Sequence, residues 1–131
     1  MDILHFCGHS FYEEKRKVDS GLLLEDGVLD PEKLRGVLAP RIAFMNSCES
    51  GQTGGKLAQF FVGSGTEVFI GTTWKVGDAA AATFADVFYR HIAIGDTVRT
   101  SIAKARSELF KKRNPDWANF VQYGDGDYSL V

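Results

Sequence analysis

Short, nearly continuous apolar runs alternate along this chain with longer segments whose apolar residues recur every three or four positions, the rhythms of buried strands and amphipathic helices. Residues 2–7 (DILHFC) predict a buried strand ended by Gly8, which leaves His9 just past the strand end. Residues 11–20 are charged and irregular. Residues 21–29 (GLLLEDGVL) hold two apolar patches around Asp26-Gly27, a hairpin signature. Asp30 and Pro31 suit the N-cap and first position of a short helix reaching about Leu38. A second strand is predicted over residues 42–45, closed by the polar, glycine-rich stretch NSCESGQTGG, so Cys48 also falls just past a strand end. A helix over 56–62, a third strand over 67–70 and a loop over 71–77 follow.

Two amphipathic helices come next. The first carries Phe84, Val87, Phe88, His91 and Ile92 on one face, with Asp78 placed as its N-cap. The second, over 97–112, lines up Val98, Ile102, Ala105 and Leu109, and Asn114-Pro115 stops it. Residues 117–123 (WANFVQY) predict a short turn and a final strand. Strands joined by helices imply an α/β fold, a mostly parallel sheet with helices on both faces and functional groups at the carboxyl ends of the strands. His9 and Cys48 both satisfy that rule. With about four strands the sheet is short for such a fold, and the edge of its first strand is expected to pair with another strand, in a homodimer or a complex.

Composition narrows the picture. The chain has 131 residues, 44% hydrophobic and 24% charged, the profile of a single domain with a real core. A net charge of −2 with interspersed signs offers no stripe for nucleic acid and no polybasic face for a membrane. MDILHFCGHS is too short and too polar for a signal peptide, so a cytoplasmic protein is expected. Only two cysteines are present, Cys7 and Cys48, which suits free thiols better than a disulfide scaffold.

Cys48 lies among Ser47, Glu49, Ser50 and Gly51, a polar loop fit for a nucleophilic thiolate, whereas a packing cysteine would sit within the preceding apolar run. Neighbouring strand ends would bring His9, 48 − 9 = 39 residues earlier, to act as its general base. The backbone N–H groups of Cys48 and of Gly8 or Ser10 are the candidate oxyanion donors. No Asp or Asn stands out as an orienter for His9, which favours a dyad over a triad. His5 and Cys7 fall inside the strand and are expected in the core. The spacing H-x-C-x-H puts His5, Cys7 and His9 on one strand face, but it departs from standard zinc-site spacing, and neither metal nor cofactor is expected. GQTGGKL falls short of a phosphate-binding loop, with Ser50 and Leu57 where glycine and Ser or Thr are needed.

Four ordered blocks, HFCGHS, MNSCESG, GTTWKVGDAAAATFADVFY and WANFVQYG, resemble the CHAT domain, a branch of the cysteine-peptidase clan that contains caspases, separase, gingipains and legumain. The resemblance covers nearly the whole chain. It implies a caspase-like three-layer sandwich and cysteine endopeptidase activity through a thioester acyl-enzyme, with His9 and Cys48 as the catalytic pair and a protein or peptide as substrate. Ser10 replaces the family's oxyanion glycine, which keeps open a second reading as a catalytically weak or inactive regulatory module. Trp74 and Asp78 fall in the block that lines the family's substrate pocket. There Asp78 would favour a basic substrate side chain, unless it serves as the helix cap instead, and Trp74 would wall the cleft. Glu49, beside the nucleophile, would accept a structural hydrogen bond or bias the cleft electrostatically. Family domains carry strands before the histidine strand and are often fused to tetratricopeptide or other sensor repeats. The chain is therefore expected to be the C-terminal portion of a longer domain that lacks its N-terminal strands, with an activating repeat domain or partner chain.

Overall fold

The computed structural model describes residues 2–12, 20–24, 27–29, 39–47 and 54–131, and everything structural below concerns these. The elements run β1 (Ile3–Tyr12), β2 (Ser20–Leu24), β3 (Gly27–Leu29), β4 (Ile42–Ser47), α1 (Gly54–Gly63), β5 (Val68–Thr72), α2 (Asp78–Ala93), α3 (Val98–Lys111), a 3₁₀ turn (Pro115–Ala118) and β6 (Phe120–Gly124). The sheet order is β3-β2-β1-β4-β5-β6. β1, β4 and β5 are parallel, whereas β6 and the β2–β3 hairpin are antiparallel additions at the two sides.

β5 shows why the central strands read as continuous apolar runs. All five of its residues are buried, because helices cover both of its faces. On one side Ile42, Phe44, Val68 and Ile70 pack against Phe84, Phe88 and Ile92 of α2 and Val98, Ile102 and Leu109 of α3. On the other, Ala43, Met45 and Phe69 meet Ala58, Phe60 and Phe61 of α1. The result is the three-layer α/β arrangement expected from the alternating pattern. No described residue pairs with the outer edge of β1 along 3–8, so the sheet is short on that side.

Among the boundaries that differ from expectation, three have a tertiary reason. β1 does not stop at Gly8. Its residues 3–8 pair with β4, and residues 9–12 continue by pairing with β2, in the register His9↔Leu23 to Tyr12↔Ser20. β5 runs on to Thr72 because β6 supplies partners, Val121 for Gly71 and Phe120 for Thr72. Asp78 is not the N-cap of α2: that position is Gly77, in an extended conformation with no side-chain cap. The Gly77 N–H is met instead by Asp116 Oδ2 at 3.1 Å, from the 3₁₀ turn. Asp78 becomes the first helical residue, exposed, where its negative charge complements the helix dipole. α3 does begin with a side-chain cap, since Thr97 Oγ1 accepts the Thr100 N–H at 3.2 Å.

Gly95 turns the chain between α2 and α3 at φ 96, a left-handed conformation suited to glycine, with its N–H bonded to Ile92 O and the Asp96 N–H bonded to His91 O. The helix predicted from Asp30 to Leu38 lies outside the described residues. No helix among the described residues is long and apolar enough to cross a membrane.

Candidate active site

The parallel ladder between β1 and β4 ends at the pair Gly8↔Ser47. His9 and Cys48 are the next residues in sequence after that pair. His9 lies within β1, at the position where pairing passes from β4 to β2, so the expectation that it lies beyond a strand end is corrected. The hairpin causes this by giving the strand a partner after β4 has stopped. The side chains of Gly8, His9 and Ser10 are outside the description, and so are Cys48 and Glu49 altogether. The expectation that β1 and β4 are neighbours with their carboxyl ends on one rim is met.

Below that rim, His5 is fixed by aromatic contacts. Its ring stacks on Phe44 with centroids 4.7 Å apart and planes 8° off parallel. Its Nδ1 lies 2.6 Å from the Tyr89 hydroxyl of α2. Burial raises the Tyr89 phenol above its ordinary range, so it stays protonated and shares a hydrogen bond with Nδ1. His5 nonetheless remains partly exposed, unlike the core histidine expected, because α2 and α3 sit mainly over β4 and β5.

Burial also lowers the His5 pKa from 6.5. The folded protein therefore takes up this proton at lower pH than the unfolded chain, and stability falls as pH drops below about 6.5 while staying level above it. His5→Gln keeps an acceptor for Tyr89 but cannot titrate. Its thermal midpoint should fall less than the parent's between roughly pH 7 and 5. Equal slopes in the two proteins would assign the acid sensitivity to other groups.

Cys7 is a free, exposed thiol rather than the packing residue expected. It is paired in register with Asn46, whose Nδ2 lies 3.9 Å from the sulfur. No described helix covers this point of β1, and strand alternation alone could not reveal that. His5 and Cys7 share a strand face, yet no group of three His, Cys, Asp or Glu residues suited to a metal occurs among the described residues.

Trp74, on the connection from β5 to α2, and Asp78, the first residue of α2, lie at the same carboxyl rim. Trp74 is 57% exposed and so is not a core anchor. Three hydrogen bonds clip this connection to the turn before β6: Thr73 N–H to Asn119 O at 2.8 Å, Thr73 Oγ1 to the same oxygen at 3.4 Å, and Gly77 N–H to Asp116 Oδ2. Two residues that sequence reasoning did not single out also shape this end of the molecule. Tyr89 orients His5, as described. Arg106 of α3 is half-buried and donates from Nη2 to Phe120 O at 2.6 Å, while its Nε has no partner among the described residues and desolvation lowers its pKa. Neither had a local signal, since both pairings span elements distant in sequence.

Compared with known families, residues 1–125 match the family model described as the CHAT domain. No curated protein matches the chain.

Proposed function

The chain belongs to the CHAT domain family, and on that premise we propose that it is a cysteine endopeptidase working through a His9–Cys48 dyad. The family is related to cysteine peptidases of caspase-like fold. The observation that carries the proposal is the end of the β1–β4 ladder at Gly8↔Ser47. Adjacent strands run about 5 Å apart. The residue after each ladder end thus starts from neighbouring points on the rim where α/β folds gather their chemistry.

In this reading the His9 imidazole takes the proton of the Cys48 thiol, and the thiolate attacks the carbonyl carbon of the scissile peptide bond. The oxygen becomes an oxyanion, held by the backbone N–H of Cys48 and that of Gly8 or Ser10. Collapse expels the amine, which receives the proton from His9, and leaves a thioester on the sulfur. His9 then deprotonates a water that attacks the thioester, releasing the acid and restoring the thiol. Trp74 and Asp78, at the β5 end of the rim, would meet the substrate chain, with Asp78 favouring a basic side chain. Cytoplasmic location belongs to the same proposal.

A second reading, a regulatory module without turnover, is favoured by Ser10 standing where the family carries glycine. A peptidyl electrophile that mimics the acyl group separates the two. The exposed Cys7 serves as an internal control for plain thiol reactivity. Peptide mapping should find the label on Cys48 at near-stoichiometric yield, with none on Cys7 at the same dose and none on Cys48→Ala. Equal, slow labelling of both thiols would support the regulatory reading.

A further inference from the structure

Where α3 ends, two aromatic rings are left uncovered. Phe110 is 64% exposed and Trp117 40%, and they meet edge to face with centroids 5.7 Å apart and planes 88° from parallel. With Lys111, Arg113, Asn114 and Pro115 they line a cleft of about 480 Å³. Its shape is set by backbone: Arg113 takes a left-handed φ of 56, its N–H bonds to Phe110 O, and the Asn114 N–H bonds to Leu109 O.

The two charged residues that line the cleft, Lys111 and Arg113, are both basic. Neither Lys111 nor Arg113 forms an ion pair among the described residues, and no carboxylate lines the cleft. Lys112, between them, pairs among the described residues with Glu108, at 3.9 Å. The nearby Asp116 is committed elsewhere, with Oδ2 taking the Gly77 N–H and Oδ1 the Asn119 amide. Exposed apolar area rimmed by unpaired cations marks a surface that lacks its partner.

We propose that this cleft docks an acidic peptide segment carrying one aromatic or long aliphatic side chain. The side chain lies against Phe110 and Trp117, and flanking carboxylates meet Lys111 and Arg113. A nucleic-acid strand fits less well. The adjoining groove between α2 and α3 is no purely basic track, since Arg90, Lys104, Lys111 and Lys112 are interrupted there by the carboxylates of Asp86 and Glu108. The cleft lies at the same rim as the β1–β4 ladder end, because the 3₁₀ turn leads into Phe120, which pairs with the last residue of β5. The docking claim does not depend on catalysis and is tested by binding alone.

Fluorescence anisotropy with a labelled glutamate-rich peptide holding one central phenylalanine provides the test. Saturable binding is expected, about tenfold weaker when the central residue is alanine. Trp117→Ala should weaken binding by at least about 30-fold, as for a buried aromatic anchor. Lys111→Gln with Arg113→Asn should weaken it about tenfold, asparagine being chosen because it tolerates the left-handed backbone. Should Trp117→Ala fail to fold, the phenylalanine-to-alanine peptide pair decides the point without any change to the protein. Absence of saturable binding, equal affinity for the two peptides, indifference to the charge changes, or tighter binding of a labelled oligothymidylate would each overturn the proposal.

Discussion

His9→Ala is expected to lower peptide turnover by about 10²–10⁴, the contribution typical of a positioned general base, and Cys48→Ala to remove the covalent route entirely. If the two side chains act as one unit, the double variant should be no slower than Cys48→Ala alone, because a base without its nucleophile has nothing to activate. The comparison is made as kcat/KM on the best peptide from a library. Both positions follow in sequence directly on the last pair of the β1–β4 ladder, and thermal unfolding of each variant is measured beside its turnover. Full turnover in Cys48→Ala would remove the dyad, and effects that multiply independently would mean that the residues do not work together.

Phe44→Ala should destabilise the fold by about 3–5 kcal/mol, the range for deleting a buried aromatic ring. Phe44 is 1% exposed at the centre of β4. Its ring centroid lies 5.9 Å from that of Phe84, 5.5 Å from Phe88 and 5.9 Å from Tyr89, and His5 stacks on its other side. Losing it opens a cavity between sheet and helices and frees both partners of the His5–Tyr89 hydrogen bond. A domain of this size holds roughly 5–15 kcal/mol in total, so the variant would be marginal at 37 °C. Urea unfolding reads this as a lower midpoint at unchanged slope. A loss under about 1 kcal/mol would show that neighbouring rings collapse into the space and that Phe44 is not the keystone of this layer.

The strands and helices were legible in the linear pattern because their periods report which face of each element is apolar. The apolar run at residues 68–70 signals a strand covered on two sides, and the spacing of Phe84, Phe88 and Ile92 signals a helix covered on one. The order strand, helix, strand then sets a parallel sheet, and with it the rim on which His9 and Cys48 were expected. These features depend on neighbours a few residues away, and so survive in a one-dimensional reading.

What could not be read there depends on coverage and pairing between distant segments. Cys7 has the parity of a core residue, but no described helix reaches far enough along β1 to bury it. Asp78 has the chemistry of a cap, but Asp116, 38 residues later (116 − 78 = 38), meets the helix entrance instead. β1 passes Gly8 only because a hairpin folds back to receive it, and Phe110 and Trp117 meet only because a turn reverses the chain between them. Local periodicity states which side of an element avoids water. Whether another element arrives to cover that side is a property of the assembled chain, and it was this that distinguished core from cleft in the protein.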